Sequence, residues 1–337
     1  MRGHPVTTQW QLLQLGSPVP ETEIRLLSRA QRRLARLVET TIVPALDSGL
    51  KHEAGTPRDR ATTLVTCLGT GAIAVLANGP PLGGLSAGDA MLTQVLPFLP
   101  SCLEGTIVGA MSHAHVLTAL VHHHPNLRAF MAPPVVEVLG ALEEEELATD
   151  AIQQTVALLD VEPPHGRLAP ATIRAAAFLP ADQAGGVVPP GRSEPLVPTI
   201  VRPGRAVGRV IAGNLTAVAW LAGSPAWAPA GILFLEVCEL RLVHVDRLLQ
   251  RLRMLGVLAS LDALLIGAPI RLVESVRALS LADIVARALD GTSYPVALNA
   301  FVGSGWPSPF LRIGATAEVA LESEEISVTW CSPGCPP

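Results

Sequence analysis

The sequence predicts an α/β protein, with an N-terminal parallel-sheet layered domain that carries a nucleophile elbow and a C-terminal mixed α/β domain. Three observations predict it. From Trp10 to about Val135, short apolar runs of strand length alternate with helix-like stretches, the pattern of βαβ layering. A run of strand character passes into a helix through Gly109-Ala110-Met111-Ser112-His113-Ala114. After a stretch crowded with proline, glycine and alanine, the same strand and helix alternation resumes at Gly208.

The elements follow in order. Residues 11–15 read as a first strand, ended by Gly16-Ser17-Pro18, and residues 21–40 as an amphipathic helix with a solvated basic face. Residues 72–76 and 106–110 are apolar runs suited to buried parallel strands, and 116–122 is helical. A helix over 142–160 opens on Glu143 to Glu146, whose negative charge suits a helix N-terminus. In the second half, residues 209–211 and 232–235 read as strands, the latter ending at Glu236. Residues 215–221 and 246–255 read as helices, the second stopped by Gly256, and 264–267 as a strand. The domains expected are 1–165, a linker over 166–207, a C-terminal domain over 208–325 and a flexible tail over 326–337.

Composition narrows the function. A hydrophobic fraction of 49% in 337 residues fills two cores, but aromatics supply only 4%, which argues against base-stacking platforms. The net charge is −5, and Lys51 is the only lysine among 24 basic residues; no basic patch for nucleic acid is legible. A mean hydropathy of +0.40 directs attention to the apolar stretch 210–237. Asn214, Pro225 and Pro229 break it into pieces too short for a bilayer span, and the N-terminus lacks a secretory pattern, so a cytoplasmic protein is expected. Five cysteines at scattered positions form no disulfide framework, and Cys331 and Cys335 stand without a second ligand pair. No phosphate loop of the glycine-lysine-serine kind is present, and neither cofactor nor metal is expected.

A serine at a sharp strand-to-helix turn has its hydroxyl exposed, with helix amides behind it that can stabilise an oxyanion. The bland alternative for Ser112 is a helix cap. The second half adds weight to the first reading. Gly213-Asn214-Leu215, the strand Ile232-Leu233-Phe234-Leu235-Glu236, and Asp246-Arg247 opening a helix together resemble the LD-carboxypeptidase family of serine peptidases, which includes immunity proteins against a nucleotide-peptide antibiotic. Met111-Ser112-His113 is similar to its tyrosine-serine-aspartate motif, and Phe130-Met131-Ala132-Pro133 to its phenylalanine-histidine-glycine-proline turn.

The resemblance implies a site in the inter-domain cleft, with Ser112 as nucleophile and Glu236 as orienting carboxylate. The family's histidine position, counted back from Gly314, falls on Ser304. A serine hydroxyl cannot take up and return a proton at neutral pH as imidazole does, so ordinary triad hydrolysis is expected to be impaired. The oxyanion loop belongs among Gly79, Gly84 and Gly88, and these stay open; Met111, His113, His115 and Asn214 are the further pocket candidates. His113 and His115 lie close to the nucleophile, while His122, His123 and His124 read as a solvated cluster at a helix C-terminus. A small-molecule or peptide ligand and a homodimer follow from the resemblance. Two activities compete: a serine peptidase or amidase, and a repurposed non-hydrolytic enzyme, binding or immunity protein in specialised metabolism.

Overall fold

The structure is a computed structural model that describes residues 10–13, 56–69, 71, 73–76, 95–109, 113–131, 198–224, 230–269, 272–273, 279–300, 302, 311–322 and 325–331. The chain forms two compact units, Met1–Asp160 and Val161–Pro337. The helices expected over 21–40 and 142–160 lie outside the described residues.

In the first unit, β1 (Trp10–Leu13), β2 (Ile73–Leu76), β3 (Gly105–Gly109) and β4 (Leu127–Met131) pair in that order, and every pairing is parallel. Helix α1 (Pro57–Gly69) begins with proline in its first position and a reciprocal cap before it. Thr56 N donates to Asp59 Oδ2 at 2.8 Å while Asp59 N donates to Thr56 Oγ1 at 3.2 Å. Helix α2 (Ala114–His123) is buried at every residue from Ala114 to Val121, so it is an interior helix rather than an amphipathic surface one.

The second unit holds a seven-stranded sheet. Its strands are β5 (Thr199–Arg202), β6 (Gly204–Asn214), β7 (Gly231–Glu236), β8 (Leu261–Gly267), β9 (Val296–Ala300), β11 (Thr316–Glu322) and β12 (Glu325–Trp330), in the spatial order β12-β11-β6-β7-β8-β9-β5. The short β10 (Leu311–Ile313) leads through Gly314 into β11. Strands β6 to β9 are mutually parallel, and the flanking pairs are antiparallel. Helices α3 (Leu215–Leu221), α4 (Leu242–Met254) and α5 (Leu281–Ala288) follow β6, β7 and β8. All of β7 is buried, as a central parallel strand covered on both faces must be, and this is why its sequence is a continuous apolar run.

Two segments differ from the expectation. Residues 199–207, placed in a linker, already form β5 and the start of β6. Residues 326–330, placed in the tail, belong to β12, whose Ile326 and Val328 are fully buried in alternation with partly exposed neighbours. No described helix is long and apolar enough to cross a membrane.

Candidate functional site

Ligand sites of parallel α/β sheets form beyond the carboxyl ends of the strands. In the second unit those ends bring Asn214 and Glu236 together. The two residues close β6 and β7 and face each other in register. Glu236 is only 4% exposed, and a carboxylate so deeply buried requires partners. One is the amide of Asn214, whose Nδ2 donates to Glu236 Oε2 at 3.4 Å.

The amide is not free to turn over. Asn214 is the N-cap of α3, and its Oδ1 accepts from Thr216 N at 2.9 Å. Since a backbone N–H can bond only to the amide oxygen, the same bond obliges the NH2 group to face Glu236. One side chain thus starts a helix and holds a buried carboxylate.

In the first unit the corresponding position is the turn between β3 and α2. Gly109 ends the strand and His113, with αR dihedrals, is the N-cap of the helix, without a side-chain cap hydrogen bond. The chain doubles back closely: a Cβ at residue 109 would lie 2.9 Å from His113 Cβ and 3.4 Å from Leu117 Cδ1. Ordinary carbon contacts are about 3.5–4.0 Å, so residue 109 must be glycine for this turn to close. Residues 109 and 113, which flank the expected elbow, therefore lie in close approach. His113 and His115 are both buried, while Met111 and Ser112 lie outside the described residues, as do Gly79, Gly84, Gly88 and Ser304.

The histidines at the end of α2 correct the reading of one solvated cluster. His123 is exposed and His122 half-buried, their rings 5.2 Å apart edge to face, but His124 is buried. Burial lowers the His124 pKa, with the His123 charge acting in the same direction, so His124 is neutral near pH 7 and does not answer the helix dipole. Burial also pushes the Cys67 thiol up to about 11, which makes it a structural residue rather than a nucleophile. Among the described residues, no group of three or more His, Cys, Asp or Glu side chains could hold a metal ion.

Residues 207–319 match the family model of the LD-carboxypeptidase C-terminal domain. No match is found among curated protein sequences. The solved structure of the wild-type microcin C7 self immunity protein MccF is similar, with a TM-score of 0.74 at 17% identity over 97% of each chain. So is the muramoyltetrapeptide carboxypeptidase from Oxalobacter formigenes, with a TM-score of 0.66 at 18% identity over 96% of this chain and 100% of that one. A third is the MccF-like protein from Bacillus anthracis str. Ames, with a TM-score of 0.72 at 18% identity over 96% and 97%. These three establish the fold, and the match over 207–319 covers the strands that carry Asn214 and Glu236. Over residues 207–319 the chain thus matches the C-terminal domain of the LD-carboxypeptidase family, and the solved structures share its fold.

Proposed function

We propose that this protein takes a small peptide or an acyl-amino-acid amide, with Ser112 as nucleophile and Glu236 as orienting carboxylate, and that its ordinary triad hydrolysis is impaired. The observation that carries the site is the buried Glu236 held by an amide of fixed orientation at the carboxyl edge of the sheet. A carboxylate restrained in this way is what a triad needs in order to orient and stabilise its proton carrier.

The relatives support the ligand class. Structures of MccF hold aspartyl sulfamoyl adenosine and glutamyl sulfamoyl guanosine, compounds that join an amino acid to a nucleoside. A further MccF structure is of an active site mutant in which a serine, an asparagine and a lysine are replaced by alanine together. Its serine and asparagine stand as far apart in sequence as Ser112 and Asn214 do here, which supports a place for Asn214 in this site.

Ser304 carries the impairment, because no hydroxyl side chain can serve as general base and then general acid near pH 7. The same residue favours a second reading, a repurposed enzyme or a binding or immunity protein of specialised metabolism that uses the site without an acyl-enzyme. A fluorophosphonate probe separates the two. Labelling of Ser112, together with loss of amide hydrolysis in Ser112→Ala, supports hydrolysis; an unlabelled protein whose activity survives Ser112→Ala supports repurposing. Ser304→His should then raise amidase activity, and no gain would mean that a missing imidazole is not what limits the rate. A homodimer in the cytoplasm belongs to the same proposal, and a monomeric mass in sedimentation equilibrium would remove the first half of it.

A further inference from the structure

The carboxyl ends of β6, β7, β8 and β9 form one row. Asn214 faces Glu236 in register, and the pairing of Leu235 with Ile266 sets Gly267 beside Glu236 one residue on. Gly267 in turn pairs with Ala300. Residues in register on neighbouring parallel strands point to the same face, about 4.7–4.9 Å apart. Whatever occupies the space of the missing Gly267 side chain is therefore a neighbour of the Glu236 side chain.

That space is filled by the chain leaving β9, which arrives by an irregular route. Between the pairs Leu265–Ala297 and Gly267–Ala300, β9 has one residue more than β8, a bulge that contains Leu298 and Asn299. Asn299 has φ +49, in the left-handed region that residues other than glycine enter at a cost and that asparagine tolerates better than most. Its Nδ2 donates to Thr199 Oγ1 of β5 at 3.5 Å. Val302 N then donates to Ala300 O at 2.7 Å, a three-residue turn that takes the chain out of the line of β9. Val302 is fully buried, and its carbonyl rests on Gly267: a Cβ at residue 267 would overlap Val302 O and lie 2.9 Å from Val302 C.

The strand order is β7-β8-β9, so a chain that turns from β9 onto the end of β8 is heading for β7 and Glu236. Ser304 follows Val302 by two residues, at most about 7 Å of chain. A bulge, a left-handed residue and a glycine contact in succession are the kind of local irregularity that re-aims a chain at a functional site.

We propose that Gly267 and Asn299 are positioning residues which hold the Val302 carbonyl on the end of β8 and so bring residue 304 to the side of Glu236, given the reading of Glu236 and Ser304 as members of one site. Gly267 acts by lacking a side chain and Asn299 by tolerating positive φ. Both act through the backbone of residues 300–302, not on substrate.

The experiment places a titrating group at that position and needs no substrate. In the full chain carrying Ser304→His, NMR reads the titration of the introduced imidazole, whose charged form a nearby carboxylate favours. It should titrate about one pH unit or more above the same imidazole in the Ser304→His, Glu236→Gln double variant. Adding Gly267→Ala, whose methyl displaces the Val302 carbonyl, or Asn299→Val, whose branched side chain disfavours positive φ, should abolish that difference. Asn299→Gly keeps the left-handed backbone and should preserve it. Amide spectra show whether each variant is folded, and if Gly267→Ala is not, the two variants at residue 299 decide. A Glu236-dependent titration that survives Gly267→Ala or Asn299→Val would overturn the role of that residue and leave the site reading intact. No difference between Ser304→His and its Glu236→Gln partner would instead overturn the placing of residue 304 at Glu236, and the positioning role with it.

Discussion

Strand β3 and strand β6 both pass directly into a helix, and they make the turn by different means. After β6, Asn214 caps α3 through its own side chain and lends the rest of its amide to Glu236. After β3, the N-cap His113 makes no side-chain cap hydrogen bond to α2, and among the described residues the close approach of Gly109 to the His113 Cβ is what constrains the turn. At the second turn the contact described is a hydrogen bond, and at the first it is a packing contact between Gly109 and His113. The difference suits the proposed roles, because an N-cap side chain that makes no cap bond leaves amide donors for an oxyanion, whereas a carboxylate has to be held by a donor.

Substitutions can break or sharpen that contrast. The largest effect is expected from Glu236→Gln, which keeps the shape and removes the charge: turnover of any substrate found should drop by about three orders of magnitude or more. An unchanged kcat/KM would separate Glu236 from catalysis. Next is Gly109→Val, where the new Cβ meets His113 with no room to relax; a loss of about 1–3 kcal/mol in urea unfolding is expected, as for other overpacked sites. A neutral result would mean that the first turn is not set by packing.

At the second turn two variants divide the two jobs of one side chain. Asn214→Ala removes the cap and should cost about 0.5–2 kcal/mol. Asn214→Asp keeps an oxygen for Thr216 N but sets a second carboxylate against Glu236. Two carboxylates sharing a site raise the pKa of one of them above its unfolded value. The sign follows: the variant should be closest to wild-type stability at low pH and lose stability as pH rises through that raised pKa, which thermal melts across a pH series will read. A pH-independent deficit would show that Glu236 does not sense residue 214.

The smallest effect concerns the capping box at the start of α5. Ser280 Oγ and Ser280 N both donate to Asp283 Oδ2, and these bonds hold the Asp283 pKa below its ordinary value. The contribution of this carboxylate is present above the unfolded-state pKa and lost as pH falls through the lowered folded-state one. Asp283→Ala should therefore lower Tm slightly at neutral pH and have no effect once Asp283 is protonated in both states.

Much of this was legible in the chain. The apolar run 232–235 predicted β7 because a strand buried on both faces has no polar alternation, and Gly256 correctly marked the end of α4. Glu236 stood out as a carboxylate ending an apolar strand. Other features were not legible. The strand Glu325–Trp330 alternates Glu325, Ser327 and Thr329 with the buried Ile326 and Val328, but it is short and precedes a Pro- and Cys-rich end, so it was read as part of the tail. His124 gave no local sign of burial, since its two neighbours of the same type are exposed or half-exposed. The turn of Asp262 toward Gly208 depends on a bulge that exists only once β7 and β8 are paired.

The sequence by itself determined where β3, β7, α3 and α4 lie, since periods of 2 and 3.6 are properties of neighbouring residues, and it carried motifs that resemble those of the LD-carboxypeptidase family. Only the tertiary structure decided that Asn214 meets Glu236 and that Asp262 lies against Gly208. Such meetings depend on strand order and register, which arise from pairing between segments distant in the chain and leave no periodic trace in either segment alone.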